Sequence, residues 1–187
     1  MIKLAFTGAQ GTGKTTVLKE FENRGKEVVT EVVRKLAKKG TKINQDGDED
    51  GQKKIFKAYE KALSVESALI TDRCLIDVFA YTLYLMDNGK VSPEFAQKQM
   101  KQLKKFIEQH GEFIYCYFPI EFDAVDDGVR STDEEFRKAI DNNIKRIIRE
   151  LNIPTVEIRG TVEERVTIVD NIYKWLELGA RLFNNDI

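Results

Sequence analysis

Gly8-Ala9-Gln10-Gly11-Thr12-Gly13-Lys14-Thr15 is the stretch whose reading sets the fold. It completes the pattern G-x-x-x-x-G-K-[ST], a loop that wraps phosphate groups. Its flanks suit it. Residues 2–7, Ile-Lys-Leu-Ala-Phe-Thr, read as a short apolar strand. Past the loop, Val17, Leu18 and Phe21 share one face of a helix. Strand, glycine loop and helix is the arrangement such a loop needs. Gly8, Gly11 and Gly13 accept backbone angles that turn successive N–H groups inward as an anion nest. The following helix adds its N-terminal dipole. Lys14 is expected to reach the β- and γ-phosphates, and the Thr15 hydroxyl to bind Mg²⁺. Residues 8–16, with Ala9, Gln10, Thr12 and Thr16 in the set, are therefore expected to bind a nucleoside triphosphate.

Bulk properties narrow the rest. A chain of 187 residues is expected to be one domain with a sizeable core. Its hydrophobic share of 42% and charged share of 33% are ordinary for a soluble globular protein. A net charge of −1 argues against a protein built mainly to grip a nucleic-acid backbone. Cys74 and Cys116 both sit in apolar stretches and read as buried free thiols. His110 is the single histidine, which argues against a zinc site or a histidine relay. The N-terminus enters the first strand directly, so no signal peptide is expected. The longest apolar stretch, 75–86, is too short to cross a bilayer and carries Asp77. A cytoplasmic location follows as the expectation.

Strand-like and helical segments alternate along the chain, which predicts an α/β fold with a mainly parallel sheet. The predicted strands are 2–7, 27–30, 67–71, 112–118 and 154–158. The predicted helices are 14–24, 31–39, 51–66, 75–87, 93–109, 132–151 and 162–178, with a fraying tail beyond. Thr132 with Glu135, and Thr161 with Glu164, have capping-box spacing. Ser92-Pro93 starts another helix. Asp46, Asp48, Asp50 and Gly51 imitate the first half of a calcium loop. The twelfth position is Lys57 where a bidentate Glu is required, so these aspartates are read as a solvated loop that caps the next helix.

Three further groups carry chemistry. The apolar strand 68–71 ends in Asp72-Arg73, and ligands in open parallel sheets sit at carboxyl ends of strands. Asp72 is expected beside the phosphate loop, on Mg²⁺ or on the attacking group, with Arg73 on the acceptor or an acidic neighbour. Glu31 and Arg34 share a helix face at the end of the second strand, bordering an acceptor pocket or forming a simple ion pair. Asp126-Asp127-Gly128-Val129-Arg130, followed by Arg137, reads as a lid over about 119–137. Its arginines would meet charge that builds on the transferring phosphoryl group. The role of the acidic residues at 123–127 stays open.

With these residues in place, the chain resembles the P-loop kinases of nucleosides and nucleotides. It is most similar to the nicotinamide riboside kinase domain of bacterial NAD regulators and to related AAA-labelled ATPase/kinase domains. The likeness rests on Gly8–Thr15, Glu31-x-x-Arg34, Asp72-Arg73, Asp127-Gly128-x-Arg130 and Ile158-x-Gly160 followed by Arg165. It implies a five-stranded parallel sheet in the order 2-3-1-4-5, ATP and Mg²⁺. It also implies an acceptor pocket between Glu31, Asp72 and the helices from 51 to 109. The riboside kinases carry aromatic and proline residues before the lid. Here that segment is Ile120-Glu121-Phe122-Asp123-Ala124-Val125, so the resemblance does not carry the nicotinamide substrate over.

Three functions are compatible with these readings. The leading one is an ATP-dependent kinase of a nucleoside, nucleotide or similar small hydroxylated acceptor. Lys14, Asp72, Arg130 and Arg137 would serve catalysis, Thr15 and Asp72 the metal, and Glu31, Arg34, Asp72 and Arg73 the acceptor. The second is a kinase of a nucleic-acid end or modified base, which the acidic balance disfavours. The third is a regulatory NTPase. The oligomeric state is not set by the sequence.

Overall fold

The computed structural model describes residues 3–67, 69–122 and 133–184. Five strands, β1 (Lys3–Thr7), β2 (Val28–Val29), β3 (Leu69–Thr71), β4 (Phe113–Tyr117) and β5 (Thr155–Glu157), form one parallel sheet. Their order is β2-β3-β1-β4-β5, as the resemblance implies. The central strand β1 is buried along its whole length, with Leu4 beside Ile70 of β3 and Ile114 of β4.

Among the described residues, seven α-helices accompany the strands: α1 (Lys14–Asn23), α2 (Val32–Ala37), α3 (Glu49–Leu63), α4 (Leu75–Asp87), α5 (Pro93–Gln109), α6 (Glu134–Glu150) and α7 (Val162–Asn184). Strand side chains alternate between the faces of a sheet, so β1 divides its apolar residues between two cores. Leu4 and Phe6 join Val17, Leu18 and Phe21 of α1 and Val169 and Tyr173 of α7 on one face. Ala5 joins the inward residues of α3, α4, α5 and α6 on the other. On α6 that stripe is Phe136, Ile140, Ile144 and Ile147, at helical spacing and fully buried. Cutting Ile140 to Ala would cost about 2–5 kcal/mol.

The element ends follow local chemistry. Asp48 caps α3 by accepting a bond from Gly51 N at 2.9 Å, so α3 starts at Glu49, two residues earlier than predicted. This also fits the reading of that acidic loop as a cap. Among the described residues, no cluster of three or more acidic, Cys or His side chains is arranged for a metal ion. Helix α6 is capped by Asp133, which accepts from Glu135 N and Phe136 N at 3.0 and 3.1 Å. Thr132 lies outside the described residues. The Thr161–Glu164 box is present in both directions, at 2.8 and 3.2 Å. Ser92 caps α5 ahead of Pro93.

Helix α7 continues to Asn184, where fraying was expected after 178. Ala180, Arg181 and Leu182 are strong helix formers and carry the backbone on. A short 3₁₀ turn, Asn44–Asp46, was not anticipated. Cys74 and Cys116 are buried and free. No helix among the described residues is long and apolar enough to cross a membrane. Trp175, on α7, is 76% exposed.

Candidate active site

The phosphate loop leaves β1 at Thr7 and enters α1 at Lys14. Two of its glycines have no room for a side chain. A Cβ on Gly8 would stand 2.5 Å from the Phe118 carbonyl oxygen. Gly13 caps α1 in the left-handed region, at φ 83°, and a Cβ there would stand 2.9 Å from Arg165 Nη1. Lys14 curls back over the loop, its ammonium donating to Gly8 O and Ala9 O, each at 2.7 Å, and to Thr12 Oγ1 at 3.0 Å. A phosphate in the nest would compete for these donors. Thr16 lies exposed on the first turn of α1, next to Thr15.

The loop is held from behind by two buried arginines. Arg137 of α6 donates from Nε to Gln10 O at 3.0 Å, and from Nη2 to Gly11 O at 3.2 Å and Phe122 O at 2.7 Å. Its Nη1 meets Glu134 at 2.9 Å. The expectation that Arg137 closes over the nucleotide is therefore corrected. The side chain is fully buried, and its bonds go to the carbonyls of Gln10, Gly11 and Phe122 and to Glu134. Arg165 of α7 donates to Thr12 O at 2.6 Å and Gly160 O at 2.8 Å, and it pairs with Glu121. These bonds fix the carbonyls of Gln10, Gly11 and Thr12, and a loop of this kind forms an anion nest where its N–H groups face inward. Arg130 lies outside the described residues, as do Asp123, Asp126, Asp127 and Gly128.

Asp72 follows β3, and the parallel sheet brings it to the loop. Thr15 Oγ1 lies 3.2 and 3.1 Å from its two carboxylate oxygens. A hydroxyl and a carboxylate at this separation are hard oxygen donors of the kind Mg²⁺ takes, alongside water and phosphate. Asp72 also borders a cleft of about 880 Å³, counting the open mouth. Glu31, Arg34, Arg73 and Gln10 line the same cleft, so the structure gathers the predicted acceptor residues in one place. Val32, Val33, Ile43 and Ile55 supply apolar wall, and Tyr59 and Tyr81 aromatic wall.

Charge in the cleft is mostly paired. Glu31, which precedes α2 rather than belonging to it as expected, and Arg34 in the first turn of α2 meet at 3.4 Å. Glu31 sits at φ 61°, a left-handed conformation that costs an ordinary side chain about 1–2 kcal/mol. Strain of this sort gathers at ligand sites. Arg73 Nη1 meets Asp77 Oδ1 at 3.3 Å. Burial works against the Arg73 charge, but Tyr81, Asp77, Tyr59 and Asp72 outweigh it and hold the guanidinium protonated above its ordinary range. Burial likewise keeps the Tyr59 phenol neutral, raised well above its usual value.

Asp77 was noticed in the sequence only as a charge inside an apolar stretch. It is fully buried and accepts from Gly8 N at 3.2 Å and Cys74 N at 3.0 Å. It therefore links the first loop residue to the start of α4. An acidic residue three positions after a helix start was the available signal.

A family model described as an AAA domain matches residues 3–165. The chain belongs to this AAA domain family. No curated protein matches it. Among solved structures, this AAA domain is similar to a deoxyadenosine kinase from M. mycoides bound to dCMP and dCDP. That likeness has 18% identity and a TM-score of 0.70, over 94% of this chain and 100% of the other. It is also similar to the NadR protein in complex with NR, at 15% identity and a TM-score of 0.73, over 92% of this chain and 51% of NadR. The chain thus spans about half of NadR. The YorR protein from Bacillus subtilis follows, at 14% identity and a TM-score of 0.59, over 96% and 98% of the two chains. The resemblance read from the sequence holds at the level of family and fold. The AAA domain has the five-stranded P-loop kinase fold.

Proposed function

We propose that residues 1–187 form one cytoplasmic kinase domain that transfers the γ-phosphoryl group of ATP to a hydroxyl of a small acceptor, a nucleoside in preference to a nucleotide. One observation carries this reading. Asp72 meets Thr15 of the phosphate loop and also lines the cleft, so donor and acceptor would meet at one carboxylate. Kinase neighbours of the same fold support it.

In this reading Lys14 exchanges its loop carbonyls for the β- and γ-phosphate oxygens. Thr15 and Asp72 would hold Mg²⁺, which when bound neutralises charge on those oxygens. The acceptor hydroxyl attacks phosphorus as the bond to the β-phosphate oxygen breaks. ADP leaves, and the hydroxyl proton passes to a carboxylate, Asp72 or Glu31.

The preference for a nucleoside rests on charge. With Asp72 given to the metal, Glu31 and Asp77 balance Arg34 and Arg73 in the cleft, and each arginine already faces one of these carboxylates. A phosphate dianion on the acceptor would have to draw an arginine away from its carboxylate, while a neutral sugar offers hydroxyls to the carboxylates.

The test is ADP release measured against nucleosides, nucleoside monophosphates and oligonucleotides at low and physiological salt. Nucleosides should stimulate turnover, with little change in apparent affinity between the salts. A preference for oligonucleotides with a steep salt slope would indicate a nucleic-acid acceptor instead. ATP hydrolysis indifferent to every acceptor would indicate a regulatory NTPase.

A further inference from the structure

Among the described residues, two buried side-chain polar atoms lack a hydrogen-bond partner, Thr7 Oγ1 and Gln10 Nε2. Both belong to the phosphate-loop segment, and of the two residues Gln10 alone lines the acceptor cleft. Gln10 is only 3% exposed. A buried amide donor without a partner is an exception that native structures rarely keep without a use.

The surroundings define what it lacks. The Gln10 main-chain oxygen is already taken by Arg137. The amide oxygen accepts from Tyr81 Oη at 3.3 Å, a long and weak bond. Tyr81 is itself braced, edge-on to Phe136 at 5.7 Å with the Arg73 guanidinium 5.6 Å from its ring centre. The amide therefore has one loose tether and one unmet end. Its last side-chain torsion is broad and roughly two-fold, so it turns easily. Whichever end faces Tyr81, the other remains for a ligand. A hydroxyl, both donor and acceptor, satisfies either end.

Position identifies which part of a ligand this is. A reacting hydroxyl must lie at the loop end of the cleft, against the γ-phosphate. The portion of a nucleoside that carries it is the sugar. On the kinase reading given above, we infer that Gln10 is an acceptor-binding residue whose side-chain amide holds a second sugar hydroxyl and so orients the reacting one. Its backbone serves the phosphate nest, and its side chain reads the acceptor.

Gln10→Leu and Gln10→Met test this by steady-state kinetics on the full chain with the common ribo- and deoxyribonucleosides. Each variant should raise the acceptor KM about tenfold or more, because a site built to hydrogen-bond a hydroxyl loses that contact. The KM for ATP should change less than the KM for the acceptor, because the substitution alters the side chain and leaves the backbone of the loop in place. The melting temperature should hold or rise, since an unpartnered buried amide is removed. The loss should shrink with 2′,3′-dideoxynucleosides, which keep the 5′-hydroxyl but lack the others. A wild type that responds to nucleosides, paired with variants whose acceptor KM is unchanged, would overturn the assignment alone. So would an equal loss with the dideoxy compounds. A wild type with no nucleoside-dependent ADP release overturns the kinase reading and this inference together.

Discussion

Arg137 and Arg165, from the first turns of α6 and α7, grip three successive carbonyls of the phosphate loop, at Gln10, Gly11 and Thr12. The loop is thus shaped by two helices that lie far along the chain from it. Phosphate binding should depend on these arginines even though neither guanidinium is assigned to the ligand.

Arg165→Met should weaken ATP binding and destabilise the fold together. It frees Thr12 O and leaves Glu121, which Arg165 and Arg159 share, short of its buried partner. Breaking a buried pair costs about 3–5 kcal/mol, and partial exposure of Glu121 places this case near the lower end. Calorimetric titration with ATP and a urea melt read both effects. Normal affinity in a destabilised variant would separate the arginine from the loop's shape.

Lys14→Ala should leave the chain folded and slow phosphoryl transfer about 100-fold or more, since it removes charge stabilisation from the transition state. The expected signature is a fall in kcat with an unchanged circular dichroism spectrum. Turnover within a few-fold of wild type would contradict the role given to the loop.

Asp72→Asn should fold, because an amide oxygen can still accept from Thr15 Oγ1. It should lose most activity and need more Mg²⁺, because a carboxylate donor becomes a neutral amide. Titrating activity against Mg²⁺ tests this directly. If Asp72 only serves as a local hydrogen-bond partner, the substitution costs about 1 kcal/mol of stability and catalysis is unchanged.

Glu112 provides a pH test. Burial pushes its carboxyl up, but bonds from His110, its own backbone and Lys3 outweigh that and hold it at about 2, against an ordinary 4.5. A depressed carboxylate stabilises the fold above its unfolded value and loses that contribution as pH falls through the folded one. Wild type should therefore exceed Glu112→Gln by about 1 kcal/mol at neutral pH, a figure discounted for the partly exposed side chain. The gap should close as pH falls from about 4.5 toward 2, read as converging urea midpoints.

Local order was readable from local sequence. The nest at Gly8–Thr15, the alternation of strands and helices, and the Asp72-Arg73 strand end all declare themselves within a few residues. What escaped was set by packing between distant segments. Arg137 lies 127 residues from the Gln10 carbonyl it holds, and its nearness to an expected lid suggested a ligand where the fold supplies a backbone. Arg165 stands 153 residues from Thr12 and was marked by the resemblance without a role. Asp77 looked like a stray charge because its partner Gly8 lies 69 residues away.

Trp175 is the only tryptophan of the chain, and its side chain stands largely in water on α7. Its emission in the folded protein should already resemble that of the unfolded chain. A fluorescence melt would then show a small shift in wavelength even when unfolding is complete, and a fully unfolded sample would pass for one that resists denaturant. The same surface position makes Trp175 a quiet background. A tryptophan introduced at a buried aromatic such as Phe118, under the phosphate loop, would report on the core with little interference.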